Sequence, residues 1–140
     1  MKRIALIFVA LLCACSEVVE TYSPGPSPLL RKAFEQRLVS EGINFKIDER
    51  GYYSAAPKDM EKLKSIGVQA ISMTNSTTYL PAEEGCPKSR MQKHLEDQRI
   101  LFTMETFEGK PKFHVTKLDF EKHKLIETYA SFVFACEKSQ

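Results

Sequence analysis

Apolar residues recur along this chain with two periods, and the switches between them mark out its elements. Leu30, Phe34 and Leu38 lie four apart with Ala33 beside them, the spacing of one helical face. Ser27-Pro28 supplies an N-cap and a first-turn proline, and Gly42 a C-terminal stop, which together predict a helix over 28–41. Ile43, Phe45 and Ile47 then alternate with Asn44 and Lys46, the period of a half-buried strand. Asp48-Glu49-Arg50-Gly51 reads as a turn and 52–55 as the return strand. Pro57 opens a second helix with Met60, Leu63 and Ile66 on one face and Gly67 as its stop, after which 68–73 reads as a short strand.

The second half repeats this grammar. Residues 75–85 are polar and turn-rich, with a strand signal at Thr77-Thr78-Tyr79-Leu80. Pro87 opens a helix bearing Met91 and Leu95. Ile100, Phe102 and Met104 alternate as a strand, Glu108-Gly109 turns the chain, and Phe113 and Val115 return it. Thr116 and Asp119 form a capping pair for a short helix to about His123. Tyr129, Phe132, Val133 and Phe134 make 126–136 read as a closing strand. Ile43, Phe45 and Ile47 correspond to Ile100, Phe102 and Met104, which predicts an internal repeat over 29–74 and 87–136. The expected fold is α+β, small helices packed on a mainly antiparallel sheet, with two tandem αββαβ (ferredoxin-like) units as its finer form.

The N-terminus follows a different pattern. Lys2 and Arg3 precede an apolar run, 4–12, that is too short to span a bilayer but suits a secretory signal. Leu12-Cys13-Ala14-Cys15 resembles the lipobox of bacterial lipoproteins. That resemblance implies a cleaved signal peptide at 1–14 and acylation of Cys15. Ser16, in place of the Asp that tends to retain such proteins at the inner membrane, implies the outer membrane and a body facing the periplasm. Residues 15–28 then form a lipidated, Pro-rich tether, expected to be stiff and extended, and 29–140 the periplasmic domain.

Composition sharpens that picture. The chain has 140 residues, 43% hydrophobic and 27% charged, which suits one small globular domain. Its net charge of +2 comes from 20 Lys+Arg against 18 Asp+Glu, and the excess is Lys2 and Arg3, so the body past the signal is formally neutral. With no basic stripe, nucleic acid is not an expected partner. Once Cys13 leaves with the signal and Cys15 carries lipid, Cys86 and Cys136 remain, and in an oxidising compartment the pair predicts a disulfide from the last strand to the start of a helix. It closes about 51 residues, for which chain entropy gives roughly 4 kcal/mol as an upper figure.

Glu17 through Ser23 after the Cys, Gly42-Ile43, Gly51-Tyr52-Tyr53-Ser54 and Pro57-Lys58-Asp59-Met60 through Gly67 resemble the N-terminal region of the type III secretion inner-ring lipoproteins. The likeness covers about residues 15–68 and lacks the C-terminal transmembrane helix that family commonly carries. It implies a packing module in an envelope assembly.

Chemistry is sparse. Asp119 and His123 share a helical face, with His114 nearby as a third candidate ligand, yet no H-x-x-x-H, H-E-x-x-H, P-loop or G-x-S-x-G spacing occurs. No catalytic residue, metal or cofactor is assigned. Tyr52, Tyr53, Tyr79 and Phe107 are the candidate partner contacts, because aromatic residues are enriched at protein interfaces. The expected function is a membrane-anchored, non-catalytic interaction module, such as an accessory subunit of an envelope assembly. The alternative is an inhibitor or immunity protein against a cell-wall-degrading enzyme, presenting 75–85 or the Phe107 hairpin.

Overall fold

The computed structural model describes residues 19–138. The signal peptide expected at 1–14 and Cys15, the expected acylation site, lie outside the described residues. The fold is α+β, five helices with two small antiparallel sheets. In chain order these are α1 (Pro28–Ser40), β1 (Phe45–Ile47), β2 (Tyr53–Ala55), α2 (Pro57–Thr74), β3 (Thr77–Pro81), α3 (Cys86–Asp97), β4 (Phe102–Phe107), β5 (Lys110–Thr116), α4 (Lys117–Lys122) and α5 (Leu125–Glu137). β1 and β2 form one sheet, and the other has the order β3-β5-β4.

Each sheet serves its own core. Phe34, Leu38, Ile43, Tyr53, Met60, Leu63, Ile66 and Ala70 fill the first, between α1, α2 and the β1–β2 hairpin. Leu80, Met91, Leu95, Ile100, Phe113, Val115, Leu125 and Tyr129 fill the second. Leu101 packs against the first core, and the Lys32 ammonium on α1 joins the two. It donates to the Phe102 carbonyl at 2.8 Å and lies 4.7 Å from the centre of that ring.

The halves share more than element order. α1 and α3 end in the same hydrogen-bonded motif, in which Ile43 N–H donates to Leu38 C=O and Ile100 N–H to Leu95 C=O. Gly42 holds the left-handed position in the first case at φ 67°, and Arg99 in the second at φ 54°. In the two hairpins Ile47 faces Tyr53 and Met104 faces Phe113, with Tyr53 and Phe113 both fully buried. α2 corresponds to α4 and α5 together, broken where Lys124 takes φ 47°.

Four expectations change. The strand read at 68–73 is the second half of α2, because Ile66 and Ala70 carry the buried face of Met60 and Leu63 onward at helical spacing. Gly67 does not stop that helix, since its missing side chain leaves the space that the Tyr22 phenol occupies. The strand read at 126–136 is α5, whose inward residues Leu125, Tyr129 and Cys136 lie three to four apart or at multiples of that spacing. With both closing strands replaced by helix, neither half forms a ferredoxin-like sheet.

The fourth change concerns the tether. Tyr22 pairs with Tyr53 through two backbone hydrogen bonds of 2.8 Å, so the segment adds a short strand to the edge of β2. Its ring meets Phe34 at 5.6 Å, and Pro24 beyond it is buried. The Glu20 carboxylate accepts from Lys64 and is the main cause that raises the lysine's pKa. Arg31 completes the attachment by donating to Gly25 C=O at 2.9 Å and to Gly51 C=O at 3.2 Å. The fold therefore begins near Glu20, ahead of the first helix.

A disulfide joins Cys86 and Cys136, linking the first residue of α3 to the last turn of α5. It fastens helix to helix, not strand to helix. Non-reducing peptide mapping should recover the linked peptides, and replacing both with Ser should lower stability by up to roughly 4 kcal/mol in chemical denaturation. Unlinked peptides, or an unchanged midpoint in the double variant, would contradict this role.

Candidate functional site

Strand alternation sorts the β3-β5-β4 sheet into two faces. Leu80, Phe102, Phe113 and Val115 point to the second core. Tyr79, Thr103, Glu105, Phe107, Lys112 and His114 occupy the face turned away from it, because Tyr79 is registered with His114 and His114 with Thr103. On that face three rings stack in a row. The Tyr79 ring lies 4.5 Å from Phe107 at an interplanar angle of 18° and 4.6 Å from His114 at 20°. The Lys112 ammonium sits 5.3 Å from the Phe107 centroid, at the far end.

A carboxylate fixes the inner end of the row. Glu105 Oε1 lies 2.7 Å from His114 Nδ1 and accepts the Thr103 hydroxyl at 2.7 Å. A carboxylate acceptor assigns the ring proton to Nδ1. His114 is only 6% exposed, whereas Phe107 is 40% exposed. The stack thus grades from a buried, hydrogen-bonded imidazole to an open hydrophobic ring beside a cation. Its side chains are ordered by one another before any partner arrives, which lowers the entropy cost of binding.

Tyr79 and Phe107, predicted as contacts, are brought together here. Tyr52 and Tyr53 are not part of the site. Tyr53 is fully buried, its edge 4.9 Å from Phe34 and its hydroxyl donated to Glu35 Oε1 at 2.6 Å. Tyr52 stands exposed on the first hairpin with the Arg50 guanidinium 5.1 Å from its ring. That hairpin is organised by Asp48, which accepts from the Arg50 and Tyr52 amides at 2.9 Å each. The Tyr52 amide bond leads the causes that lower the Asp48 pKa.

Of the residues considered as a cluster, Asp119 and His114 each have another partner. Thr116 caps α4, its hydroxyl accepting from the Asp119 amide and donating to the Asp119 carboxylate, while His114 is engaged by Glu105. Among the described residues no group of three metal-ligating side chains forms. Thr103, Glu105 and Lys112 went unrecognised in the sequence. The signal for them is the hairpin register, which sets Thr103 against His114 and Glu105 against Lys112 once Glu108-Gly109 is taken as a two-residue turn.

Tyrosine ionisation checks the packing of the first core. Burial, then the hydrogen bond to Glu35 and its charge, push the Tyr53 pKa up to about 12 from 10.0. The unfolded chain ionises this phenol first, so the stability it lends is intact below pH 10 and is lost as pH rises through about 12. Ultraviolet titration should show a late step near pH 12 that coincides with loss of structure and is absent from Tyr53→Phe. A profile unchanged by that substitution would contradict the assignment.

No family model, curated protein or solved structure matches this chain, so its function has to be argued from its own residues.

Proposed function

We propose that this chain is a lipid-anchored periplasmic protein at the outer membrane, acting as a non-catalytic interaction module such as an accessory subunit of an envelope assembly. The observation that carries the reading is the Phe107–Tyr79–His114 stack, an ordered aromatic row on a sheet face turned away from the core. Tyr is a favoured anchor of protein interfaces because it offers apolar area and a polar tip at low entropic cost. The polar neighbours Glu105, Thr103 and Lys112 supply a rim of hydrogen-bonding and charged groups around that area. The formal neutrality of the body favours recognition by shape and local pairs over a long-range field.

The lipobox-like Leu12-Cys13-Ala14-Cys15 supports the anchor. Among the described residues no helix is long and apolar enough to cross a membrane, so attachment through Cys15 is the route this reading requires. The likeness to inner-ring lipoproteins supports the assembly role in kind, as a packing module. A plug-type inhibitor is less favoured. Thr77–Pro81 is a strand paired to β5, and Phe107 is held against Tyr79, so neither offers a long projecting loop.

The test is photo-crosslinking in intact cells. A benzophenone side chain at Lys110, on the stack face, should give a discrete adduct with an envelope protein, and Tyr79→Ala should abolish it. The same group at Lys93, exposed on α3, should give none. Mass spectrometry of the mature N-terminus should show an acylated Cys15. An absence of adducts from Lys110 would contradict the interaction site, and an unmodified Cys15 would contradict the anchor.

A further inference from the structure

We propose that the Tyr22 segment, an anchor strand, seats the body directly on the bilayer, with the outer face of the β1–β2 hairpin and the first turn of α2 turned to the lipid headgroups. The proposal rests on the reading of Cys15 as the lipidated residue. The Pro-rich stretch 23–28 looks like a spacer, but it follows the docking point and cannot separate lipid from body. Tyr22 is already fastened to Tyr53 by its backbone and into the Gly67 notch by its ring, and Glu20 to Lys64 by its carboxylate. Residues 15–19 are therefore all the chain that separates the expected lipid from that docking point. Fully extended, four residues reach at most about 14 Å. A domain of this size has a radius of gyration of roughly 14 Å, so the free reach is shorter than the body is wide.

The surface at the end of that leash suits headgroups. Val19, 65% exposed, edges an open cleft of about 640 Å³ that is also lined by Asn44, Phe45, Lys46, Ser54 and Lys58. Lys46 and Lys58 are exposed cations and Asp59 is the acid in the lining, and the hairpin beside it adds Asp48, Glu49 and Arg50, so the face offers groups of both signs, as a zwitterionic headgroup requires. Tyr52 stands on the same hairpin with Arg50, itself paired with Asp48, against its ring, and aromatic residues of this kind are found at membrane interfaces. α5 carries a rival surface, since Ile126 and Phe134 are exposed there. It packs on α3 and α4 beside the second core, whereas Tyr22 packs against the first.

The sequence contains no tryptophan, so a single introduced one reports cleanly. Full-length lipidated protein is placed in vesicles of phosphatidylethanolamine and phosphatidylglycerol carrying a dansyl-labelled headgroup lipid. Energy transfer from Lys46→Trp should exceed that from Phe134→Trp by roughly twofold or more, given the breadth of the body. Inserting roughly ten Gly/Ser residues after Ser16 should weaken the Lys46→Trp signal. Equal transfer from both sites, stronger transfer from Phe134→Trp, or a signal indifferent to the insertion overturns the seating while leaving the anchor intact. An unmodified Cys15 by mass spectrometry overturns both.

Discussion

The backbone pairing of Tyr22 with Tyr53 decides where this fold begins, and the proposed membrane attachment depends on it. Tyr53 is the hub of the first core, buried against Phe34 with its hydroxyl held by Glu35. A two-stranded hairpin of three residues a side is marginal alone, and Tyr22 adds a third stretch of chain to it. The ring of Tyr22 reaches α2 because Gly67 leaves space for it, so one residue ties strand, helix and hairpin together. What looks like linker is thus structural, and the proposed anchor at Cys15 would lie close to the body as a consequence.

The second core is closed by covalent means. Its nine buried residues are few for independent stability, and the Cys86–Cys136 bridge joins the two helices that cover its sheet. Two small cores leave much of each sheet's outer face uncovered. On the larger sheet that face carries the Phe107–Tyr79–His114 stack, and on the smaller it carries Lys46 and the cleft beside the anchor strand. The proposed roles divide accordingly, one sheet for a protein partner and the other for the membrane.

Period was legible in the sequence, and composition misled it. The helices α1 and α3, the hairpins and the cap at Thr116 follow from spacing and turn residues. Two of the errors came from β-branched and aromatic content at 68–73 and 126–136, where the buried face nevertheless recurs at helical spacing. Gly67 was read as a stop because its reason for being glycine, the Tyr22 ring, lies 45 residues away in sequence. Tyr79 and Phe107 were singled out as aromatic residues, but Glu105 and Thr103 acquire meaning only from register, which sets them beside His114. The same holds for the tether, since nothing local to Tyr22 announces its partner on β2.

Amide hydrogen exchange on the full-length lipidated protein in vesicles tests the account most directly, read at the Tyr22 N–H. If the anchor strand is part of the fold, that amide exchanges as slowly as the Tyr53 N–H it is paired with across the bridge. Exchange at the rate of an unpaired chain, with Tyr53 still protected, would contradict the account and return the segment to the role of a free tether.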